Sequence, residues 1–458
     1  MEEFQLIGLF LFVLFLLLGT GVWVGLALMG VAFVGLMLFH PSSDLGLAIF
    51  HPENSRKFFQ VLDRTGGSMI TTIWTASSSW TLTALPLFIW MGEILYRTRL
   101  SEDMFRGLSP WMARLPGGLV HTNIVGCTVF AAVSGSSAAT LTTVGKMSIP
   151  ELRKRDYPET MIIGTLAGAA TLGLMIPPSL TLIVYGVKIN ESIRELFIAG
   201  ILPGIVLAAM FMAYVAIHSL VSRKYNPKTE PAMSFREKLW NSRFLIPVIA
   251  LILLVIGSMY LGFATATEAA AFGVLGSLAL AAGQGSLNRR TFAESLMGAT
   301  RTSAMIALIL AGAAFLSLAM GFTGLPRALA EYIAGLNLSR FELLMMLLVF
   351  YIVIGCFLDG ISSVVLTMAV VEPMIRGAGI DVIWFGIFIV VVVEMAQITP
   401  PIGFNLFVLQ GMTRHEMNYI SRAAIPMFLI MVLMVFVLIA VPELATWLPD
   451  NMRASPGG

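Results

Sequence analysis

The chain has 458 residues, of which 57% are hydrophobic and only 12% are charged. Soluble domains carry roughly 25% charged residues, so this composition excludes an ordinary soluble enzyme. The formal net charge of +2 gives no electrostatic reason to expect a nucleic-acid partner. We therefore expect a protein whose main partner is a phospholipid bilayer.

Apolar runs close to the roughly 20 residues needed to cross a bilayer core recur along the whole chain. The first of them follows a start that lacks the basic residues and cleavage site of a signal peptide, so we interpret it as retained. Candidate spans lie near 4–20, 22–39, 80–97, 196–222, 244–262, 264–283, 302–320 and 423–442. Residues 41–79 leave two interpretations open, because Asn54–Arg64 suits either an interfacial amphipathic helix or a solvated loop.

Four further apolar regions are interrupted. Residues 118–153 and 342–377 turn about Gly-Ser centres and are predicted to be re-entrant hairpins. Residues 157–188 and 384–411 each contain a Pro-Pro pair, which removes two amide donors and predicts a broken helix.

The interruptions recur with one spacing, since 27 residues separate Pro150 from Pro177 and also Pro373 from Pro400. Such self-similarity indicates an internal repeat. Five membrane crossings separate the two broken helices. Because this number is odd, the second repeat is upside down in the membrane relative to the first. The predicted fold is an all-α polytopic membrane protein with two inverted-topology repeats, each holding a re-entrant hairpin and a broken helix. Secondary transporters of this kind bind substrate and ions near the midplane.

The repeats give predicted domain boundaries. Residues 80–222 and 302–442 form the repeats, 1–79 and 223–301 form scaffold spans with a basic loop, and 443–458 form a tail.

Loop charges test the topology independently, because basic short loops stay on the cytoplasmic side. If Arg153-Lys154-Arg155 is cytoplasmic, the crossing count puts every other basic cluster there too. Those clusters contain Arg223, Lys224, Lys228, Arg236, Lys238, Arg289, Arg290 and Arg414. Loops with few basic residues, at 2–3, 190–195 and 377–381, fall outside.

The first hairpin turns at Ser134–Thr140, where glycine permits close backbone approach and the serine hydroxyls supply oxygen ligands for a hard cation. A turn at membrane depth must be buried in protein or line a wet cavity. The alternative is a tight helix-packing face built from small residues.

The two breaks differ in polarity. Gly173–Ser179 is mostly apolar, whereas Gln397–Asn405 adds the polar side chains of Gln397, Thr399 and Asn405. Half-helix N-termini at such breaks also offer partial positive charge to an anion. A kink that serves only packing is the alternative.

Three acids occur within apolar runs, and intramembrane carboxylates are candidates for function by default. Asp359 precedes the second tip and is either a Na⁺ ligand or proton carrier, or a helix-capping aspartate. Glu268 suits a capping box at least as well as a functional role. Glu394 is compatible with a lipid, protein or cavity environment.

Other chemistry finds little support. Cys127 and Cys356 lie in apolar runs and are interpreted as small core residues. The five histidines show no metal-ligand spacing, and no GxxxxGK[ST] loop is present.

The motifs resemble the large membrane subunit of tripartite ATP-independent periplasmic (TRAP) transporters, the DctM-like family. In the first half the similar pieces are Gly135–Thr140, Ile149-Pro150, Tyr157, Gly173, Ile176–Ser179, Tyr185-Gly186, Leu196-Phe197 and Pro203-Gly204. In the second half they are Asp359-Gly360, Gly379–Asp381, Thr399–Gly403 and Asn405. Leu85–Phe88 and Thr267–Ala270 also match, so the resemblance covers most of the chain.

The resemblance implies a Na⁺-coupled, elevator-type importer of an organic anion in the bacterial inner membrane, and not an enzyme. It implies Na⁺ as coupling ion and no nucleotide, haem or transition metal. The implied partners are a separate small four-helix membrane subunit and a periplasmic substrate-binding protein. A stand-alone anion/Na⁺ symporter and a non-transporting membrane scaffold or enzyme remain alternatives, and the substrate stays open.

By this resemblance the two tips and two breaks hold the ligands. The implied Na⁺ ligands are Ser134, Gly135, Ser136, Ser137, Gly173, Ile176, Asp359, Gly360, Ser362, Ser363, Thr399 and Gly403. The implied substrate-binding residues are Ser137, Thr140, Pro177, Ser179, Gln397, Pro400 and Asn405.

Overall fold

A computed structural model describes residues 3–39, 55–222, 233–324, 328, 331–333, 335–336, 338–356, 358–400 and 403–453. Every regular element in these ranges is a helix, which confirms the predicted all-α class. The predictions for residues 41–54, for the basic residues of 223–232, for Pro401 and Ile402 and for the end of the tail lie outside the described residues.

The longer helices follow the apolar runs closely. They are Glu3–Gly19, Val24–Phe39, Ser55–Ser77, Ala84–Tyr96, Leu100–Met112, His121–Ser134, Ser137–Arg153, Glu159–Met175, Leu180–Ile189, Ile193–Val221, Phe235–Ser242, Ile246–Ile252, Ala266–Gly283, Arg289–Thr323, Arg340–Gly355, Gly360–Gly377, Val382–Gln397, Phe404–Thr413, Met417–Ala440 and Glu443–Arg453. A π-helical turn at Leu253–Gly257 continues Ile246–Ile252 into Ser258–Tyr260.

Seven helical segments of the described chain are long and apolar enough to cross a membrane, so the protein is a multi-pass membrane protein. They are Glu159–Ile189, Ile193–Val221, Phe235–Tyr260, Ala266–Gly283, Arg289–Thr323, Gly360–Gly377 and Met417–Ala440. The predicted spans near 22–39 and 80–97 coincide with shorter apolar helices, Val24–Leu38 and Ala84–Tyr96.

Both predicted hairpins consist of two helices joined by a short turn. We call the turn Gly135-Ser136 tip 1, and the described residues 356, 358 and 359 between the helices of the second hairpin tip 2. Both predicted broken helices also end just before their proline pairs, giving break 1 at residues 176–179 and break 2, of which the structure describes residues 398–400 and 403. The inverted orientation of the two repeats stays a prediction.

The chain divides into two compact units. Unit 1 comprises Met1–Thr83, Arg301–Leu343 and Val364–Val382. Within it Gly25 and Gly312 bring two helices into close backbone contact, since a Cβ added at Gly25 would lie 2.7 Å from the Leu308 carbonyl oxygen. Unit 2 comprises Ala84–Thr300, Leu344–Ser363 and Ile383–Gly458.

Three elements differ from the sequence expectation, and a fourth decides an interpretation that was left open. The span predicted at 302–320 extends over Arg289–Thr323, so Arg289 and Arg290 form the first turn of a helix rather than a loop. Ser55–Ser77 is one amphipathic helix, which settles the described part of the open segment as helix rather than loop. Leu100–Met112 and Glu443–Arg453 are further helices, whose mixed composition gave no apolar run to detect.

Candidate functional site

Tip 1 is closed by its own side chains. Gly135 ends the first helix of the hairpin in the left-handed conformation, with φ 63°, which glycine adopts without strain. Ser136 then caps the second helix, because its hydroxyl accepts a hydrogen bond from the Ala139 amide at 3.4 Å. Across the turn, the hydroxyls of Ser134 and Thr140 are 2.7 Å apart. The tip therefore concentrates hydroxyl and carbonyl oxygens in a few residues.

Tip 1 packs directly on break 1. A Cβ added at Gly173 would lie 2.7 Å from the carbonyl oxygen of Ser136 and 2.7 Å from the Thr140 hydroxyl. A Cβ added at Gly135 would lie 2.8 Å from the Pro178 carbonyl oxygen, and the Leu180 amide donates to the Gly135 carbonyl at 3.4 Å. Glycine at these two positions is what permits the contact of the two backbones.

Break 1 is locally satisfied. The Ser179 hydroxyl donates to the Leu174 carbonyl and accepts a hydrogen bond from the Leu182 amide at 3.2 Å. It thus caps the helix that follows Pro177-Pro178 and occupies one carbonyl that the prolines leave without a donor. Ile176, Pro177 and Ser179 are all buried.

Tip 2 is organised by Asp359. Its carboxylate accepts hydrogen bonds from the amides of Ile361 at 3.1 Å and Ser362 at 3.2 Å, and a further one from the Ser362 hydroxyl. This is the geometry of the helix cap that the sequence left as one of two alternatives. Asp359 is exposed, whereas Gly360, Ser362 and Ser363 are buried.

Break 2 folds back on itself at Gly403, whose φ is 29°. A Cβ added there would lie 2.8 Å from the Thr399 carbonyl oxygen and 3.1 Å from the Gln397 carbonyl oxygen. The Thr399 hydroxyl donates to the Met395 carbonyl at 2.7 Å, and the Cys356 thiol of tip 2 donates to the Pro400 carbonyl at 3.5 Å. Tip 2 and break 2 therefore touch, as tip 1 and break 1 do.

Two buried amide side chains beside break 2 have polar atoms without a partner among the described residues. Within the described residues, Nε2 of Gln397 and both Nδ2 and Oδ1 of Asn405 form no hydrogen bond. Gln397 is 4% exposed and Asn405 is fully buried. Buried polar groups are nearly always hydrogen-bonded, so these unpaired amides make break 2 a candidate ligand site.

The two halves meet at Glu394, which is 1% exposed. A Cβ added at Gly360 of tip 2 would lie 4.0 Å from Oε1 of Glu394 and 3.9 Å from the hydroxyl of Thr181. The hydroxyl of Ser137 in hairpin 1 also lies beside the Glu394 carboxylate, outside hydrogen-bonding geometry. This places Glu394 in a protein environment and not against lipid.

Sequence reasoning missed Thr181 entirely. It sits in an apolar run directly after break 1, and one threonine there carries no spacing signal. Its proximity to Gly360 becomes visible only when the two halves pack together.

All the predicted ligand residues belong to unit 2. The structure brings together tip 1 with break 1 and tip 2 with break 2, and it links the pairs through Glu394. Glu268 does not join this site. It is exposed, and its carboxylate accepts from the amide and hydroxyl of Thr265, both at 2.8 Å, in a capping box.

Two loops that the crossing count assigns to one side are neighbours in the structure. His415 Nε2 lies 3.4 Å from Glu159 Oε2, and Glu159 also pairs with Arg153 at 2.5 Å. The loop around Arg153 and the loop around Arg414 therefore lie together, as the count requires for this pair.

Comparison with known proteins identifies similar chains. Residues 11–444 match the family model described as "Tripartite ATP-independent periplasmic transporter, DctM component". The chain is 30% identical over 374 residues to the isethionate TRAP transporter permease protein DctMQ of Oleidesulfovibrio alaskensis, an alignment covering 81% of this chain and 58% of that protein. It is 29% identical over 389 residues to the C4-dicarboxylate TRAP transporter large permease protein DctM of Pseudomonas aeruginosa, covering 85% and 90%.

A solved structure shares the fold. The Alcanivorax borkumensis YdaH transporter superimposes with a TM-score of 0.59 at 16% sequence identity, covering 94% of this chain and 98% of that one. At this identity the likeness concerns the fold alone.

Proposed function

Because the chain belongs to the DctM component family of tripartite ATP-independent periplasmic transporters, we propose that it is the large permease of a Na⁺-coupled importer of an organic anion. The motif resemblance found in the sequence is thereby confirmed at the level of family, and the relatives are named as transporter permeases rather than enzymes. Na⁺ coupling, the substrate and the partners are our proposal.

The observation that carries the proposal is the pair of unpartnered amides beside break 2. Gln397 Nε2 and Asn405 Nδ2 are hydrogen-bond donors that the described protein leaves unpaired in a buried place. An anionic substrate supplies acceptor oxygens, and a site built to hydrogen-bond a ligand discriminates strongly against molecules that leave its polar groups unpaired. The amides would fix the carboxylate or sulfonate group of the substrate.

Na⁺ coupling is supported by the oxygen content of the tips. At tip 1 the Ser136 carbonyl and the Thr140 hydroxyl crowd against Gly173, and the Ser134 hydroxyl lies 2.7 Å from that of Thr140. At break 2 the carbonyls of Gln397 and Thr399 converge on Gly403. Hard cations take carbonyl and hydroxyl oxygens as ligands, and turns at membrane depth offer such oxygens where they are enclosed by protein.

An elevator mechanism is supported by the grouping of the site. All the ligand residues proposed from the sequence lie in unit 2, which is built from three separate stretches of the chain. A unit that contains all the ligand residues can move with its ligand bound. A site shared between two units that move apart would lose part of its ligand residues. Unit 2 is accordingly our candidate for the transport body.

The tripartite architecture of the family motivates the proposed partners, a small membrane subunit and a periplasmic binding protein. The names of two relatives, specific for isethionate and for C4-dicarboxylates, motivate an organic acid as the substrate class.

Reconstituted uptake tests the proposal. In proteoliposomes, accumulation of a radiolabelled organic acid should require an inward Na⁺ gradient, the small subunit and the loaded binding protein together. Uptake by this chain alone, or uptake that is unchanged when choline replaces Na⁺, would contradict it.

A matched pair of variants tests the amides. Asn405→Ala should abolish uptake, whereas Gln410→Ala should retain it, since Gln410 is half-buried in the same half-helix and is not part of the site. Equal uptake by the two variants would remove Asn405 from the substrate site.

A further inference from the structure

A cavity of about 820 Å³ lies at the opposite end of the helix Ser137–Arg153 from tip 1. Three stretches of unit 2 line it: the helix Leu100–Met112, the last two turns of Ser137–Arg153 with Arg155, and residues 233 and 241. Loop charges assign this end of the hairpin to the cytoplasmic side. None of the lining residues belongs to the proposed substrate and Na⁺ sites.

The cavity has a positive lining. Arg106, Lys146 and Arg155 line it together with the acidic Glu102 and Glu151, and three basic against two acidic side chains leave a formal charge of +1. Glu151 is already paired with Arg155, at 2.5 Å. The cavity therefore suits a ligand that carries one negative charge.

Aromatic rings, rather than carboxylates, hold the other two cations. The Arg106 guanidinium lies 4.6 Å from the centre of the Phe244 ring, and the Lys146 ammonium donates to the Tyr96 hydroxyl at 2.5 Å. In the described part of the chain neither forms an ion pair, and both side chains are exposed. Their positive charge is thus positioned by the protein and available to an anion.

The rest of the lining is largely apolar. Phe105, Pro110, Met147, Pro150 and Met233 line the cavity beside the charges. A small soluble anion would contact the cations and leave this apolar surface unused. An amphiphile with an anionic head would use both.

The helix Phe235–Ser242, whose Asn241 lines the cavity, lies at the boundary of the membrane. It leads directly into the candidate span that ends at Tyr260. Its Phe235, Leu239 and Trp240 are 71%, 61% and 64% exposed, and the guanidinium of Arg243 lies 3.9 Å from the centre of the Trp240 ring. Exposed aromatic and leucine side chains beside basic residues are typical of a segment at the level of the lipid headgroups.

We infer that this cavity binds the headgroup of an anionic phospholipid of the cytoplasmic leaflet. Arg106 and Lys146 bind the phosphate oxygens, and the acyl chains extend along the exposed Ile246 and Ile249 of the span that follows. Basic pockets on the cytoplasmic side of membrane proteins recognise such headgroups. The inference is independent of Na⁺ coupling and of the transported substrate.

Thermal unfolding of the purified full-length chain in mild detergent tests the site, because a ligand of the folded state raises the unfolding temperature. At constant NaCl, the protein is titrated with dioctanoyl phosphatidylglycerol, with dioctanoyl phosphatidylcholine and with glycerol phosphate. Phosphatidylglycerol should raise the unfolding temperature at a concentration at least about fivefold below that of phosphatidylcholine, which has the same chains but no net charge. Glycerol phosphate, which has no acyl chains, should have no effect at that concentration.

Variants with uncharged side chains of similar length test the two cations. The double variant Arg106→Gln, Lys146→Gln should need about 30-fold more phosphatidylglycerol for a half-maximal shift, since each basic residue near an anionic headgroup contributes roughly fivefold. Arg114→Gln is the matched control and should titrate like wild type. Arg114 is exposed directly after the helix Leu100–Met112 and does not line the cavity.

Equal phosphatidylglycerol titrations for the double variant and wild type would overturn the inference, and so would equal responses of wild type to the two lipids. A response of wild type to glycerol phosphate at the same concentration would overturn it in favour of a soluble anion. Should the double variant not fold, the lipids that copurify with wild type decide. Anionic phospholipid should be enriched in them over the bulk membrane, and an unchanged lipid ratio would refute the site.

Discussion

Replacing Gly173 with alanine tests whether the contact of tip 1 with break 1 matters for function. The new Cβ would lie 2.7 Å from two oxygens of hairpin 1 and 2.8 Å from the Cα of Ser137. Two of these three atoms are backbone, so the turn itself must shift. Overpacking of this kind destabilises by about 1–3 kcal/mol.

That free energy should appear in Na⁺ binding, because the displaced atoms include the proposed ligands at tip 1. A loss of about 1–3 kcal/mol corresponds to roughly 5–150-fold in an equilibrium constant. Gly126→Ala is the matched control, since a Cβ there would meet the nearest Val144 methyl at 3.5 Å, an ordinary van der Waals distance. Gly126 lies in the helix of hairpin 1 that leads to the same tip.

Thermal unfolding in detergent, titrated with NaCl and with choline chloride, measures the effect. Gly173→Ala should need more Na⁺ for half-maximal stabilisation, and Gly126→Ala should match wild type. Identical Na⁺ titrations for the two variants would show that the tight contact serves packing only and that tip 1 holds no Na⁺.

Three further variants address other parts of the structure. Asn405→Leu should raise the unfolding temperature while uptake is lost, because removing an unsatisfied buried amide relieves a desolvation penalty of about 1–3 kcal/mol; a lower unfolding temperature would mean that Asn405 is satisfied within the protein. Asp359→Ala should cost about 1 kcal/mol in denaturant unfolding through the lost cap, and Asp359→Asn should restore most of it; if only aspartate supports Na⁺-dependent stabilisation, the carboxylate has a second role. Gly312→Val should abolish accumulation of folded protein, because the added atoms collide with the Gly25 carbonyl, whereas Gly321→Ala meets no atom within 4 Å and should accumulate normally in a fluorescence size-exclusion assay.

The sequence predicted the interrupted elements well because prolines and glycines act locally. Pro177-Pro178 and Gly135 dictate a break and a turn whatever surrounds them, and both lie where expected. Helix ends were less predictable. Arg289 and Arg290 belong to a helix that continues beyond its apolar stretch, since charged residues also form good helix turns.

Contacts between distant stretches could not be predicted. The spacing of Glu394 and Thr181 in the sequence says nothing about their shared neighbour Gly360, because that proximity depends on how three helices pack. The sequence likewise could not distinguish the two possible roles of Asp359, since a helix cap and an ion ligand require the same residue type at the same position. The hydrogen bonds at tip 2 establish the cap, and Na⁺ ligation there stays a prediction.

The packing of the helix Val382–Gln397 has a consequence for biosynthesis. Its Gly386 lies against Tyr185 and its Ile387 against Gly200, so the surroundings of Glu394 are built largely from segments made some two hundred residues earlier. Domains are completed in the order of synthesis, and this helix emerges from the ribosome when most of the chain is already inserted. Until this helix docks, Thr181 and Tyr185 in the earlier segments are not covered by it. The helix also enters the membrane carrying Glu394, whose carboxyl group has no partner in its own helical turn. Docking of this one segment therefore completes the centre of unit 2, and a ribosome stalled before residue 394 leaves a chain whose first half is inserted but unfinished.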